Sequence, residues 1–265
     1  MGAVDKTARP RVLLCDLDGV VWLAHRPVPG SVEALRDAER AGIRVIYVTN
    51  NSFSTVAEQE SHLADIGLDA RGKVVTSAMA AASILVPGNR VLVCGGNGIT
   101  EEVSRAGCEA VVAHEHPGRR DTYSDVVVGL HREFDYTVLS DAMRAVRDGA
   151  RLVGSNSDNS YPTPDGPLPG GGSVLAAIAT ASGVVPVVTG KPHAPMAGLV
   201  LSMCPGVVAD EIVMVGDKPS TDGAFAGELG CRFVQVLTGV SSAADSIPGS
   251  TVCRDLREAV GGMLA

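Results

Sequence analysis

The sequence predicts an α/β fold with a parallel sheet flanked by helices, and two observations support this class. Short apolar runs alternate with amphipathic segments along the chain, which is typical of strand–helix–strand units with right-handed crossovers. The apolar runs are rich in Val, Leu, Ile and Ala, while aromatic residues make up only 3% of the chain. This composition is typical of parallel strands that are buried on both faces.

The first part of the chain alternates strictly between strands and helices. Gly42 and Gly67 are placed to end two of these helices. The predicted elements are a strand over 12–15, a helix over 32–40 capped by Ser31, a strand over 44–48, a helix over 55–66, a strand over 74–75, and a helix over 78–85 capped by Ser77.

Pro87-Gly88 interrupts this alternation, and a second α/β unit begins at Arg90. Its predicted strands cover 91–94, 110–113, 126–129, 151–154 and 184–188, and its helices cover 100–106, 137–148 and 173–182. The strand–helix alternation of the first part of the chain then resumes, with helices over 195–204 and 223–229 and strands over 212–215 and 233–237. We therefore predict a core domain of residues 1–88 and 186–265, interrupted by an inserted α/β domain of residues 89–185.

Charge and composition exclude several classes of partner. The formal net charge of -8 disfavours binding to nucleic acid. Residues 1–11 contain no apolar signal segment, and no stretch reaches 18 apolar residues, so we expect a cytoplasmic protein without a membrane partner. The six cysteines are scattered without C-x-x-C spacing, which indicates reduced, buried thiols rather than a zinc site.

Two carboxylates follow the first predicted strand in the motif Asp16-Leu17-Asp18-Gly19. Residues i and i+2 of an extended chain point to the same face, and the carboxyl ends of parallel strands are where open α/β sheets bind ligands. Gly19 allows a sharp turn at this point. A surface turn is the alternative interpretation of the motif taken alone.

Three further polar clusters follow predicted core strands. Thr49-Asn50-Asn51 offers hydroxyl and amide groups for phosphoryl oxygens, although a helix N-cap is the better interpretation of this motif alone. Lys191 lies between Gly190 and Pro192 and can neutralise a carboxylate and a phosphate. Gly216-Asp217 ends a strand, with Asp222 five residues further on.

Because all four clusters follow strands of one sheet, we expect them to meet at one edge of it. Asp16, Asp18, Asp217 and Asp222 would then share a small volume. Two like charges about 4 Å apart repel by roughly 4 kcal/mol at an effective dielectric constant of 20. A divalent cation together with Lys191 would turn this repulsion into attraction, so the sequence predicts a bound Mg²⁺.

These clusters, in this order, resemble the motifs of the haloacid dehalogenase (HAD) superfamily of phosphatases. The Thr-Asn-Asn motif, the stretch 76–82 and Gly190-Lys191-Pro192 resemble its subfamily of NagD-type and 4-nitrophenylphosphatase-like enzymes. The resemblance covers nearly the whole chain. It implies a Rossmann-like core with a large inserted α/β cap. The residues that resemble the cap signature are Asn156, Asp158, Tyr161-Pro162-Thr163, Asp165-Gly166 and Pro169-Gly170.

The resemblance also implies roles for individual residues. Asp16 would be the nucleophile that forms an aspartyl-phosphate, and Asp18 the general acid and base. Mg²⁺ would be held by Asp16, the Asp18 carbonyl and Asp217, with Asp222 acting through water. Phosphoryl oxygens would be held by Thr49, Asn50 and Lys191, and we also assign Asn51 and Gly19 to this phosphate-binding region.

The substrate implied is a small phosphorylated metabolite, and a homodimer formed through the cap is a further expectation by resemblance. We expect the cap residues Asn156, Asp158, Tyr161 and His131 to contribute to substrate selection. His131 stands where the family commonly has Asp, and Ser155, Ser157 and Lys218-Pro219 also depart from the family's motifs. A phosphotransferase or dehalogenase on the same scaffold and a non-catalytic binding protein are the alternative functions.

Three weaker signals remain. Gly95-Gly96-Asn97-Gly98 lacks the third glycine of a dinucleotide-binding fingerprint, so we interpret it as a tight turn. We expect His114-x-His116 to lie in an exposed loop with no further metal ligand nearby. Trp22 is a candidate either for lining the substrate entrance or for packing.

Overall fold

The computed structural model describes residues 9–161, 163 and 166–265. Within these ranges the strands are β1 (Val12–Cys15), β2 (Trp22–Leu23), β3 (Arg26–Pro27), β4 (Arg44–Thr49), β5 (Val74–Thr76), β6 (Arg90–Cys94), β7 (Glu109–Val112), β8 (Asp125–Val128), β9 (Arg151–Gly154), β10 (Ser160–Tyr161), β11 (Leu168–Pro169), β12 (Val187–Val188), β13 (Ile212–Gly216), β14 (Arg232–Val236) and β15 (Thr251–Cys253). The α-helices are α1 (Ser31–Arg40), α2 (Val56–Asp65), α3 (Ser77–Ala82), α4 (Asn97–Arg105), α5 (Tyr136–Arg147), α6 (Gly171–Ser182), α7 (Ala194–Ser202), α8 (Ala224–Leu229) and α9 (Leu256–Leu264). The predicted α/β class is confirmed.

Residue contacts divide the chain into two compact units. Unit 1 comprises the described residues up to Thr49, together with Gln59–Val75 and Val200–Ala265, and unit 2 comprises Asn50–Glu58 and the described residues of Thr76–Leu199. Unit 2 extends beyond the predicted insert because the loop before α2 packs onto α4, where the amide of Gly98 donates to the carbonyl of Phe53 at 2.9 Å. The domain boundaries themselves stay a prediction.

The sheet of unit 1 has the strand order β15-β14-β13-β1-β4-β5 over the described residues. The pairs from β15 to β4 are parallel, and Cys15 at the end of β1 is in register with Val215 of β13 and Tyr47 of β4. Every residue of β1 is buried, as expected of a central strand covered on both faces. This register brings the ends of β1 and β13 side by side.

The main sheet of unit 2 has the strand order β12-β9-β8-β6-β7, and all its pairs are parallel. On one face its strands pack with α3 and α4 through Ala78, Val91 and Ile99. On the other face they pack with α5 and α6 through residues such as Val138 and Ile178. In the predicted turn-rich loop before α6, β10 and β11 form a short antiparallel pair.

Both predicted helix caps are wrong by one residue. Gly30, with a φ of 83°, precedes α1, and the Ser31 hydroxyl instead donates to the carbonyl of Val21 at 2.8 Å. Thr76 caps α3 by accepting from the amide of Met79, while Ser77 is the first residue of that helix. In each case the helix begins one residue earlier than predicted, which moves the expected cap inside it.

No helix within the described ranges is long and apolar enough to cross a membrane. The expectation of a missing signal segment rests mainly on residues 1–8, which lie outside the described residues. The six cysteines are free, five of them buried and Cys231 partly buried, in agreement with the reduced thiols predicted from sequence.

Candidate active site

Three aspartates that follow β1 and β13 form a buried carboxylate cluster in unit 1. Asp16, Asp217 and Asp222 each offer a carboxylate oxygen, and these oxygens lie within 4.8 Å of one another. The parallel pairing of β1 with β13 produces this proximity, because the amide of Asp16 donates to the Val215 carbonyl at 3.0 Å, just before Asp217. The exposed fraction of each of the three aspartates is 9% or less.

The polypeptide around the carboxylate cluster fixes the two aspartates after β13. The amide of Val240 donates to Asp217 Oδ2 at 2.7 Å, and the amide of Lys218 donates to Asp222 Oδ2 at 3.1 Å. Gly19, with a φ of +87°, lies so close to Asp217 that a Cβ there would be 2.7 Å from its carboxylate carbon. The loop after β1 is therefore packed against the Asp217 carboxylate, and only glycine fits at this position.

The donor set of the carboxylate cluster fits a hard divalent cation. Two negative charges no more than 4.8 Å apart repel by about 3.5 kcal/mol or more at an effective dielectric constant of 20. Oxygen ligands that carry negative charge are those that Mg²⁺ prefers. The three buried aspartates thus combine the charge and the chemistry of a magnesium site.

Asp18 and Thr49 are the other predicted catalytic residues of unit 1. The indole Nε1 of Trp22, at the start of β2, donates to Asp18 Oδ1 at 3.1 Å. Trp22 is only 1% exposed, so it both packs in the core and orients Asp18. Thr49 is the last residue of β4 and is 2% exposed, and β4 is the neighbour of β1 in the sheet.

Asn50 holds the backbone of Lys191 inside unit 2. The amide of Lys191 donates to Asn50 Oδ1 at 2.8 Å, and Asn50 Nδ2 donates to the Lys191 carbonyl at 3.2 Å. Lys191 itself is 2% exposed and precedes a cis proline, Pro192. A buried ammonium group is stable only beside negative charge or several acceptors, so this position suits a lysine that binds an anion.

The predicted cap residues Asn156 and Asp158 also contact Asn50. Asn156 Nδ2 donates to the Asn50 carbonyl at 2.8 Å, and Asn50 Nδ2 donates to Asp158 Oδ2 at 2.9 Å. Asn51 accepts from the amides of Phe53 and Ser54, so its side chain stabilises the turn before α2. Pro162 and Asp165, which carry part of the resemblance to the cap signature, lie outside the described residues.

The N-cap alternative for the Thr49-Asn50-Asn51 motif is wrong for the helix that follows. Thr55 caps α2 instead, because Thr55 Oγ1 accepts from the amide of Glu58 at 3.2 Å and Glu58 Oε2 accepts from the amide of Thr55 at 2.8 Å. The side chains of Thr49, Asn50 and Asn51 therefore do not cap α2.

His131 lies in unit 2 beside a second histidine. Its Nε2 lies 2.9 Å from Nδ1 of His114 and shares a hydrogen bond with it. A carboxylate oxygen of Glu133 lies within 4.8 Å of one nitrogen of each histidine, so the three side chains form a group of possible metal ligands. Burial, followed by the neighbouring His114, lowers the pKa of His131. The expectation that His114 has no further metal-ligating side chain nearby is therefore wrong, whereas His116 is exposed as expected.

Several residues of the site were missed by sequence reasoning. Gly239 contacts Asp217 so closely that a Cβ would overlap the carboxylate, and the hydroxyl of Thr238 donates to the carbonyl of Gly19 at 2.5 Å. The hydroxyl of Ser77 donates to the Asn50 carbonyl at 2.7 Å. The only sequence signal was that Thr238-Gly239 follows a predicted core strand, as the recognised motifs do.

Two family models match the chain. The first describes haloacid dehalogenase-like hydrolases and matches residues 13–109, and the second describes HAD-hydrolase-like proteins and matches residues 188–259. The first matched range contains Asp16, Asp18 and Thr49, and the second contains Lys191, Asp217 and Asp222.

Curated relatives match the chain over most of its length. It is 38% identical to a D-glycerol 3-phosphate phosphatase of Mycobacterium tuberculosis over 91% of this chain and 67% of that protein. It is 32% identical to an acid sugar phosphatase of Staphylococcus aureus over 94% of this chain and 96% of that protein.

Solved structures agree with the sequence matches. The p-nitrophenyl phosphatase of Archaeoglobus fulgidus has a TM-score of 0.85 at 27% identity, covering 96% of this chain and 99% of that one. A glycerol phosphate phosphatase of Mycobacterium tuberculosis, solved in complex with magnesium, has a TM-score of 0.83 at 35% identity, covering 94% of this chain and 76% of that one.

Proposed function

The chain belongs to the haloacid dehalogenase-like hydrolases, as a phosphatase of the NagD-like group, and we propose that it hydrolyses a small phosphomonoester through a phosphorylated Asp16. The observation that carries this proposal is the carboxylate cluster of Asp16, Asp217 and Asp222 at the ends of two neighbouring parallel strands. Three buried acids that converge at this edge of a sheet offer the negative charge and the oxygen ligands that a divalent cation binds.

Magnesium is the cofactor that we assign to this cluster. Asp16 and Asp217 would hold it directly, with the Asp18 carbonyl as a further ligand and Asp222 acting through water. When bound, Mg²⁺ would supply positive charge that lets an anionic phosphate approach the Asp16 carboxylate.

In the proposed reaction, a carboxylate oxygen of Asp16 attacks phosphorus while the bond from phosphorus to the leaving oxygen breaks. Asp18, oriented by Trp22, gives its proton to that leaving oxygen, and the alcohol departs. Asp18 then takes a proton from water, whose oxygen attacks phosphorus. The Asp16–phosphorus bond breaks, which releases inorganic phosphate and restores Asp16.

Thr49, Asn50 and Lys191 are proposed to bind the phosphoryl oxygens. Burial of Lys191 and the two hydrogen bonds between its backbone and Asn50 support this role, because a fixed ammonium group loses little entropy when it binds an anion. Phosphoryl transfer depends mainly on such positioning and charge stabilisation. Roles for Asn51, Gly19, Asn156, Asp158 and His131 in binding remain predictions.

The proposed substrates are small phosphorylated polyols and sugars. The names of two relatives, a D-glycerol 3-phosphate phosphatase and an acid sugar phosphatase, support this class. A screen of such phosphates, with inorganic phosphate release as the readout, identifies the preferred member. The homodimer and the cytoplasmic location are tested by light scattering and by cell fractionation.

Hydrolysis of 4-nitrophenyl phosphate by the purified chain tests the proposed function. We expect turnover with Mg²⁺, none in excess EDTA, and none for Asp16→Asn or Asp217→Asn. Asp210→Asn is the matched control, since this exposed aspartate lies on the other side of β13 in sequence and should leave turnover unchanged. Full turnover in EDTA, or by Asp16→Asn, contradicts the proposal.

A further inference from the structure

A second group of metal-ligating side chains lies in unit 2, apart in sequence from every motif used above. One nitrogen each of His114 and His131 and a carboxylate oxygen of Glu133 lie within 4.8 Å of one another. Two imidazoles and one carboxylate form a donor set different from the all-carboxylate cluster. From this group we propose a second cation site, which binds a divalent transition metal ion of the Zn²⁺, Co²⁺ and Ni²⁺ class.

The separation of the two imidazoles fits ligation by one ion. Nδ1 of His114 and Nε2 of His131 are 2.9 Å apart. With metal–nitrogen bonds of about 2.0–2.1 Å, two ligands lie about 2.9 Å apart at a right angle and about 3.3 Å apart at a tetrahedral angle. The separation of the two nitrogens is therefore already close to that of two ligands of one ion, and to bind it each ring turns so that its lone pair points at the ion rather than at the other nitrogen.

The position of the group in the sheet of unit 2 supports a ligand site. Strand β6 is flanked by β7 on one side and by β8 on the other, so the strand order reverses beside β6. His114 follows β7, and His131 and Glu133 follow β8. Open α/β sheets bind ligands beyond the carboxyl ends of their strands at such reversals.

Packing alone does not account for a histidine at position 131. Its side chain is 4% exposed, and Nδ1 is buried without a hydrogen-bond partner among the described residues. The ring lies between His114 and Phe134, with centroid distances of 5.1 and 6.2 Å, so it is held in place. An apolar side chain would fill this space without burying Nδ1, so the residue type at position 131 is explained by what Nε2 can bind rather than by packing.

Binding of the ion at this site releases no proton from the two histidines. In the metal-free pair, one ring nitrogen donates its hydrogen to the other. Binding requires both facing nitrogens to present lone pairs, so the shared proton moves to the outer nitrogen of its own ring, and both rings stay neutral. Glu133, which is exposed and anionic, supplies one negative charge. Imidazole ligands favour zinc, cobalt and nickel over magnesium, so this site is chemically distinct from the carboxylate cluster.

Zinc titration of the full chain in excess Mg²⁺, followed by ¹⁵N NMR of the histidine rings, tests the proposal. We expect the ring nitrogens of His114 and His131 to shift together at one equivalent of bound ion, while those of the exposed His116 do not. This readout reports on the histidines directly, so zinc entering the carboxylate cluster does not produce it.

Variants separate this site from an incidental histidine contact. His114→Ala and Glu133→Gln replace side chains that are not fully buried, and each should weaken the zinc binding seen at His131 by about tenfold or more. His116→Ala is the matched control and should leave it unchanged. Unshifted His114 and His131 resonances at saturating zinc, or equal affinity at His131 after His114→Ala, would overturn the proposal.

Discussion

The indole of Trp22 donates a hydrogen bond to the carboxylate of Asp18 at 3.1 Å, within the turn that leads from β1 to β2. The indole is buried, and its ring packs against His25 with the centroids 5.2 Å apart. The proposed general acid and base is therefore oriented by a rigid aromatic group rather than by a flexible side chain. This contact assigns Trp22 an orienting role in addition to packing.

Trp22→Phe should lower kcat for 4-nitrophenyl phosphate roughly tenfold with little change in KM. The variant keeps an aromatic ring in the core but removes the N–H, and a hydrogen bond to a charged group contributes about 1.5–3 kcal/mol. Leu23→Ala, at the next residue of β2, which is half exposed, should leave kcat unchanged. An unaltered kcat for Trp22→Phe removes the orienting role.

Gly239→Ala should weaken both Mg²⁺ binding and turnover by roughly tenfold or more. A Cβ at this position overlaps the Asp217 carboxylate, which must then move away from the carboxylate cluster. Calorimetric titration with Mg²⁺ and a 4-nitrophenyl phosphate assay measure the two effects.

Gly227→Ala provides the matched control for Gly239→Ala. Gly227 lies in α8 and is exposed, and no neighbouring atom lies within 4 Å of the position that an added methyl group would occupy. Alanine should therefore add about 0.5–1 kcal/mol of stability without changing turnover. Equal Mg²⁺ affinity in the two variants contradicts the packing of Gly239 on Asp217.

Asn50→Ala should reduce kcat/KM by roughly a hundredfold, because it removes both hydrogen bonds that hold the backbone of Lys191. Asn50→Asp should be worse, since it loses the Nδ2 donor and places an oxygen where Nδ2 lies 2.9 Å from Asp158 Oδ2. Asn159→Ala, at an exposed asparagine, is the control. Steady-state kinetics of the folded variants measure these changes in kcat/KM. A wild-type kcat/KM in Asn50→Asp would contradict the role of Asn50 in holding Lys191.

Stability should fall as pH rises above about 9. Burial raises the pKa of Cys94 and of Cys231 to about 12, whereas an unfolded thiol titrates near 8.5. Between these values the folded chain binds more protons than the unfolded chain, so the free energy of unfolding decreases as pH rises. The contribution of the two protonated thiols to stability is complete below about pH 8.5 and is lost as pH approaches 12. The loss should be roughly 1 kcal/mol per pH unit for each thiol.

Urea unfolding between pH 8 and pH 11 measures this slope. The doubly substituted chain, Cys94→Ala with Cys231→Ala, should start less stable because of the cavities, but its stability should fall less steeply with pH. Parallel slopes for the two chains contradict the assignment to these thiols.

Central elements of the fold could be predicted because their local patterns agree with their burial. The strand over 151–154 and the strand over 12–15 match β9 and β1 at both ends. The hairpin of β2 and β3 was missed because Ala24 and His25 adopt positive φ angles of 48° and 62° without the glycine or asparagine that marks such a turn. Strand β15 and helix α9 were also not predicted.

The candidate site could be predicted where each residue follows its own strand in sequence. Asp16 and Asp217 were placed together because they follow strands expected to be parallel, and the register of β1 with β13 brings them to one edge. The contact of Gly239 with Asp217 depends on β14 lying beside β13, and the pairing of His114 with His131 depends on β7 and β8 flanking β6. Strand order is not encoded in any local sequence pattern, so these two contacts could not be predicted from the sequence.

Rapid acid quenching during turnover of 4-nitrophenyl phosphate, followed by peptide mapping by mass spectrometry, tests most directly whether Asp16 is the nucleophile. We predict one phosphoryl group on Asp16 in the presence of Mg²⁺, and none on the Asp16→Asn chain. A chain that turns over steadily while Asp16 stays unmodified and another residue carries the phosphoryl group would contradict it.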